Sequence, residues 1–146
     1  IGEDMTARCF KLEFPSDISE VHFIKLTLKE GDKIISDNFY WRGTEDGNYR
    51  ALKNLQKTVI DSDTRIRKNG REWIITTDLL NAGDVPALKV RLKVTGLKSG
   101  ERILPVFFSD NFISLIPGEK KTITMTLSDE DTRGEKPDVV ISGFNL

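Results

Sequence analysis

The chain has 146 residues, a length typical of one domain that buries roughly 70% of its unfolded surface. Charged residues make up 31% of the chain and sum to a net charge of −1, which argues against a basic face for nucleic acid or for an anionic membrane. A single cysteine, Cys9, excludes an intramolecular disulfide, and no apolar run approaches the ~20 residues of a membrane helix.

The dominant period in the sequence is two residues, which predicts strands with one buried face and one solvated face. The first such run is 6–14, where apolar and charged residues alternate, and Lys29 and Lys33 flank a Gly31-Asp32 turn that marks the first clear hairpin. Strands are predicted at 6–14, 20–29, 33–41, 57–66, 72–80, 87–95, 102–109, 112–116, 120–127 and 137–142. This succession of short strands and turns predicts an all-β fold, an antiparallel β-sandwich of two packed sheets.

Two stretches depart from this rhythm. Residues 43–57 carry Tyr49, Leu52 and Leu55 at helical spacing, which predicts a short helix or turn over one sandwich edge. Residues 128–137 are strongly polar and are expected to form a solvated loop. No linker separates two halves, so the sequence predicts a single domain over residues 1–146.

Acidic clusters are the first candidates for chemistry, because paired carboxylates can act as general acid and as general base or nucleophile. The densest are Asp61/Asp63 and Asp129–Asp131, and both lie in polar segments, where solvated charge is the favoured interpretation. A calcium loop through Asp61 and Asp63 stays open, although the ordered spacing of an EF-hand is missing.

The remaining reactive side chains give no site. His22 is the sole histidine, so a zinc site or a thiol–imidazole pair is not expected, and Cys9 is interpreted as a small apolar residue. Neither a phosphate-binding glycine loop nor a nucleophile elbow is present. We therefore expect no catalytic residue, no metal and no cofactor.

Consecutive aromatic residues at 39–41 must divide between the two faces of a strand. Tyr40, Trp41 or Phe112 could thus form a stacking platform for a glycan. In the competing interpretation, residues 43–57 fold over the ring face and bury it. Both remain open from the sequence alone.

A structural corner is predicted where Asp110 and Asn111 follow an apolar strand, since both residue types tolerate turns and bond neighbouring backbone. Pro117 and Gly118 supply the next turn of the same block.

Three segments together carry a family resemblance: ISDNFYW at 35–41, PALKVRLKVT at 86–95 and ILPVFFSDNFISLIPGE at 103–119. In this order they resemble the C-terminal immunoglobulin-like domain of glycoside hydrolase family 2 enzymes, of the exo-β-D-glucosaminidase and β-mannosidase type. The SDNF…PGE block is the specific part, and the likeness extends over nearly the whole chain.

The resemblance implies an immunoglobulin-like sandwich that serves as a non-catalytic accessory domain. It also implies a longer parent whose TIM barrel holds both catalytic glutamates, so no catalytic residue can be carried over to this chain. The implied partners are the barrel and sugar-binding domains of the same parent, with a glycan as a further possibility, and the parent is expected to be periplasmic or secreted. A carbohydrate-binding module and a free-standing adhesion or assembly domain are the alternatives.

Overall fold

The computed structural model describes residues 2–146, and these divide into two compact units, Ile1–Asn54 and Leu55–Leu146. Strands are the main regular elements of both units. In chain order the strands are β1 (Val21–Glu30), β2 (Lys33–Gly43), β3 (Ile60–Asn69), β4 (Glu72–Asn81), β5 (Ala87–Gly96), β6 (Phe107–Phe108), β7 (Ile113–Leu115), β8 (Lys120–Ser128) and β9 (Pro137–Ser142). Short 3₁₀ helices occupy Arg50–Asn54 and Glu130–Thr132. The predicted all-β, antiparallel fold class is confirmed.

The first unit contains one hairpin. β1 and β2 pair antiparallel from Val21↔Gly43 to Glu30↔Lys33, with an irregularity at Leu28/Lys29, and the chain reverses at Gly31, whose φ is 58°. Glycine suits that position because its missing Cβ removes the penalty of a left-handed backbone. The hairpin predicted around Gly31-Asp32 is therefore present.

The second unit is a sandwich of two antiparallel sheets. One sheet has the order β3-β4-β8-β6 and the other has the order β7-β5-β9. The predicted alternation decides which side chains face inward: in β8, Ile123, Met125 and Leu127 are buried while the threonines between them are not. Each of these inward side chains contributes roughly 1.5–3 kcal/mol by leaving water.

The hydrophobic core lies between the two sheets of the second unit. Ile75 and Leu79 from β4 face Val90, Leu92 and Val94 from β5, and all five are at most 1% exposed. A continuous apolar layer of this kind is what two half-buried sheets form when their inner faces interdigitate.

Three predicted elements differ from the structure. Residues 6–14 form no strand, because in the described chain this segment pairs with no other strand that would hydrogen-bond its backbone groups. The strand predicted at 102–109 shortens to Phe107–Phe108, since Pro105 has no N–H to give a neighbouring strand. The polar loop at 128–137 contains a 3₁₀ helix whose Thr132 is buried, with its hydroxyl donating to the Asp129 carbonyl at 2.7 Å.

A 3₁₀ helix at Arg50–Asn54 lies within 43–57, where the sequence predicts a short helix or turn, and the predicted position over a sandwich edge stays a prediction. The prediction of a single domain over 1–146 stays a prediction. Each of the two units is described below by itself.

Candidate functional site

The hairpin divides its aromatic residues between two faces, as the alternation requires. Phe23 pairs with Trp41 across the strands, and their ring centroids lie 5.9 Å apart in an edge-on arrangement. Phe23 also stacks on Phe39 at 5.5 Å. Tyr40 pairs with Ile24 on the opposite face and is 47% exposed. Two of the residues predicted to form a sugar platform therefore point in opposite directions.

A hydrogen bond joins the segment after β2 to the hairpin within the first unit. The Tyr49 hydroxyl donates to the Trp41 carbonyl at 3.2 Å, and Trp41 is half-buried. The ring of Tyr40 keeps its exposed face. Of the two aromatic candidates on β2, only Tyr40 thus offers an open ring.

Phe112, the third predicted platform residue, belongs to the second unit, whereas Tyr40 and Trp41 belong to the first. Its side chain is 60% exposed, and the Arg91 guanidinium carbon lies 5.4 Å from the ring centroid. A cation over a ring face is worth about 0.5–1 kcal/mol at an exposed site. The backbone of Phe112 has a positive φ of 55°, so the turn that follows Asn111 sets the direction of this ring.

The corner at Asp110 and Asn111 bonds to two strands of the second unit, β5 and β8. Asn111 accepts from the Leu92 N–H through Oδ1 at 2.9 Å and donates to the Leu92 carbonyl through Nδ2 at 3.0 Å. Asp110 accepts from the Asn111 N–H at 2.8 Å and forms an ion pair with Lys121 on β8 at 2.6 Å. The amide of Asn111 therefore bonds to β5 in the manner of a strand neighbour.

The turn at Pro117 and Gly118 bonds to the end of β4. Gly118 has a φ of 74°, and its N–H donates to the Asn81 carbonyl at 2.9 Å. Glu119 closes the turn: its N–H donates to the Ile116 carbonyl at 3.0 Å, and its carboxylate accepts from the Ile116 N–H at 3.0 Å. This turn fixes where β8 begins beside β4.

Sequence reasoning missed two buried asparagines. Asn81 is fully buried and donates to the carbonyls of Val85 and Leu115 at 2.9 and 3.0 Å, while its Oδ1 accepts from the Thr58 hydroxyl at 2.9 Å. Asn145 accepts from the Leu88 N–H at 2.9 Å. The available signal for Asn81 was its position, since it continues the inward register of Ile75, Thr77 and Leu79.

The acidic residues lie among cations and donors. Asp129 accepts from Trp73 Nε1 and from Lys68 Nζ, both at 2.7 Å, and the Lys68 bond is the main cause that lowers the pKa of this carboxyl. Thr122 bonds Asp78 at 2.6 Å and, with Arg65 beside it, lowers the pKa of Asp78. Asp63 is 74% exposed. Carboxylates with a lowered pKa, such as Asp78 and Asp129, serve as ion-pair partners, whereas a general acid needs a raised pKa.

His22 and Cys9, both in the first unit, take no part in a cluster. The His22 ring lies 5.2 Å from the ring of Phe14, and Cys9 is exposed. Over residues 2–146, no group of three His, Cys, Asp or Glu side chains could hold a metal ion. Within the same range no helix has the length and apolarity needed to cross a membrane.

Two sheets around one apolar layer place the second unit in the class of immunoglobulin-like β-sandwiches, and comparison with known proteins agrees. The family model described as the exo-β-D-glucosaminidase Ig-fold domain matches residues 38–146. The chain belongs to this family.

Curated relatives and solved structures point the same way. The exo-β-D-glucosaminidase of Amycolatopsis orientalis is 30% identical over 152 aligned positions, which cover 89% of this chain and 15% of that enzyme. The crystal structure of the exo-chitosanase CsxA of the same organism matches with a TM-score of 0.82 and 28% identity, over 89% of this chain and 18% of that one. A mannosylglycoprotein endo-β-mannosidase of Lilium longiflorum is 32% identical over 85 positions, or 54% of this chain and 9% of that enzyme. The chain thus spans less than a fifth of the length of these relatives.

Proposed function

We propose that this chain is a non-catalytic, immunoglobulin-like accessory region from the C-terminal part of a family 2 glycoside hydrolase. The observation that carries the proposal is the match of the exo-β-D-glucosaminidase Ig-fold model over residues 38–146, in a chain that spans 15% of its enzyme relative. In this proposal the parent cleaves glycosidic bonds with residues that lie outside these 146.

The chemistry of the second unit supports this division of labour. Asp78 and Asp129 are held ionised by hydrogen bonds and cations, so neither is suited to protonate a leaving group. The side-chain amides of Asn81 and Asn111 hydrogen-bond backbone groups of the same unit. These four side chains are thus committed to architecture, which supports a non-catalytic role.

For the substrate of the parent we propose a β-linked glucosamine residue at a glycan end, because relatives named exo-β-D-glucosaminidase match over 87–89% of this chain. A β-mannoside is the second choice, supported by the match to the lily endo-β-mannosidase over 54% of the chain.

The role is tested by deleting residues 55–146 from the longer protein. We expect a lower melting temperature and a lower soluble yield, because the surface of the remainder against which the accessory sandwich packs would be exposed to water. The control replaces Thr124, an exposed residue of β8, by alanine in the intact protein. A melting temperature that the deletion leaves unchanged would contradict a structural role.

The exposed rings of Tyr40 and Phe112 favour glycan binding as a second candidate function. Isothermal titration of the chain with chitosan and mannan oligosaccharides tests it, with Tyr40→Ala, Trp41→Ala and Phe112→Ala as variants. Phe144, which is 49% exposed, provides the matched control in Phe144→Ala. A flat titration with the unmodified chain would remove this function.

A further inference from the structure

An aromatic ring lies exposed at the edge of the larger sheet of the second unit. Phe107 belongs to β6, the edge strand in the order β3-β4-β8-β6, and its side chain is 70% exposed, more than that of any other large apolar residue among residues 2–146. Over the same range its ring has no aromatic partner and no cation over its face. Single exposed rings are common on protein surfaces, so the surroundings decide whether a ring is part of a site.

Phe107 lines a groove with a volume of 310 Å³ on the outer face of this sheet. Phe107 pairs with Thr126, and Thr126 pairs in turn with Ile74, so the three side chains form one row across β6, β8 and β4. Glu72 lies two residues before Ile74 on the same face, and Arg71 lines the groove from the turn before β4. Neighbouring strands are about 4.8 Å apart, so the row is roughly 10 Å long, which is comparable to a short oligosaccharide.

The two charged side chains of the groove have no partner in the described part of the chain. Neither Glu72 nor Arg71 forms a side-chain hydrogen bond or an ion pair there. By contrast, Asp78, Asp110 and Asp129 of the same unit are each paired with a cation. The groove therefore offers a carboxylate acceptor and guanidinium donors that the fold itself does not use.

This combination of groups discriminates between classes of ligand. A saccharide presents C–H groups on the faces of its rings and hydroxyls around them, and these match one aromatic ring with polar groups beside it. A polyanion would meet the Glu72 carboxylate, and the net charge of −1 gives it no general attraction. A wholly apolar ligand would desolvate both charged groups without pairing them. A saccharide is thus the class that the groove fits.

We infer that the groove beside Phe107 binds a saccharide, in the isolated chain and in the parent protein. The C–H face of one sugar ring stacks on Phe107, and Glu72 and Arg71 hydrogen-bond its hydroxyls. An open groove leaves most of the ligand in water, so the dissociation constant should be in about the millimolar range. The inference rests on the proposed function only for the choice of sugar, a β-linked glucosamine chain, because relatives are named exo-β-D-glucosaminidase.

Titration of the isotope-labelled 146-residue chain with chitosan oligosaccharides, followed by NMR chemical shifts of the amides, tests the site. The largest shifts should fall in residues 71–74, 106–108 and 126–128. Shifts confined to the surroundings of Tyr40 or Phe112 would overturn the inference and support the second candidate function. An unchanged spectrum at several millimolar sugar would overturn both. Cello- and mannan oligosaccharides are titrated in parallel. Binding of these at the groove without binding of chitosan would contradict the proposed substrate and leave this inference standing.

Variants of the groove and a matched control connect the binding to its residues. Phe107→Ala should weaken the binding about tenfold or more, whereas Phe107→Tyr, which keeps a ring, should stay within about threefold of the unmodified chain. Glu72→Gln should weaken the binding about threefold or more, because a charged acceptor is lost. Phe144→Ala removes another exposed ring of the same unit and should leave the binding unchanged. An affinity that Phe107→Ala does not change, or that Phe144→Ala lowers equally, would overturn the inference.

The longer protein shows whether the groove is open in the parent. There Phe107→Ala should raise KM for long chitosan chains about threefold or more, with kcat and the KM for a chitosan disaccharide unchanged. An unchanged KM for the long chains, in spite of binding by the isolated chain, would mean that another part of the parent covers the groove, and it would overturn the inference. A longer protein that binds chitosan through Phe107 but releases no glucosamine would refute the proposed function and leave this inference standing.

Discussion

At the scale of single residues, three asparagine side chains hydrogen-bond backbone groups of strands near points where a neighbouring strand stops. Asn111 bonds both backbone groups of Leu92, Asn145 bonds the Leu88 N–H, and Asn81 bonds the Leu115 carbonyl. A buried backbone group without a partner costs as much as a lost hydrogen bond. These side chains therefore complete sheets that short strands such as β7 leave incomplete.

Replacing Asn111 by alanine should destabilise the chain by about 1–3 kcal/mol, because the N–H and carbonyl of the buried Leu92 would lose their partner. Urea denaturation followed by tryptophan fluorescence measures the loss. Asn54→Ala, at an exposed position of the first 3₁₀ helix, is the control and should cost far less. Equal losses for the two variants would refute the role given to Asn111.

Glu135 ties a loop to the sandwich through its charge. Its carboxylate accepts from the N–H groups of Ser99 and Lys98 at 3.1 and 3.2 Å, and the Ser99 backbone bond is the main cause that lowers the pKa of Glu135 below its ordinary 4.5. A depressed pKa in the folded state gives stability above the unfolded value and loses it as the pH falls through the folded value.

Glu135→Gln should therefore reduce the loss of unfolding free energy that occurs as the pH is lowered into the acid range. The unmodified chain should lose part of its unfolding free energy as the pH falls below 4.5, and the variant should lose less over the same range. Urea midpoints measured from neutral to acid pH test this expectation, with Glu72→Gln at an exposed strand position as the control. A variant whose midpoints decline as steeply as those of the unmodified chain would contradict it.

At the scale of elements, the period of two was enough to predict β4, β5, β8 and β9 with bounds close to those observed. Those strands pair with neighbouring strands of the described chain and bury one face, so the local sequence pattern and the tertiary contacts agree. Residues 6–14 form no strand although Phe10, Leu12 and Phe14 have the alternating pattern of one. A strand also needs a neighbouring strand that hydrogen-bonds its backbone. Pattern alone cannot supply that neighbour.

The site was less predictable than the fold. Tyr40, Trp41 and Phe112 were chosen because they are aromatic in strand-like sequence, yet they lie in two different units and the half-buried Trp41 contacts Phe23. Asn81 was missed because composition gives no sign that a polar side chain sits in a core. Two of its side-chain hydrogen-bond partners, Thr58 and Leu115, lie 23 and 34 residues away in sequence.

The alternation along β8 gives a matched pair of variants. Ile123→Ala should cost about 2–5 kcal/mol, because Ile123 is fully buried and its loss leaves a cavity between the sheets. Thr124→Ala, one residue further on the exposed face, should cost below about 1 kcal/mol. Urea denaturation of both variants measures the difference, and similar losses would show that the inward register of β8 is wrong.

At the scale of the whole molecule, the core and the sheets that enclose it lie in residues 55–146. A chain of residues 55–146 should therefore unfold cooperatively with a urea midpoint close to that of the full 146 residues. Non-cooperative unfolding of the shorter chain would show that the first unit is needed for the sandwich to fold.

We propose that the 146 residues support a glycosidase without performing its chemistry. The most direct measurement is the rate of glucosamine release from chitosan oligosaccharides by the longer protein and by this chain alone, at equal molar concentrations. We expect release by the longer protein and a rate for the isolated chain that equals the buffer blank. Release by the isolated chain at a rate comparable to that of the longer protein would contradict it.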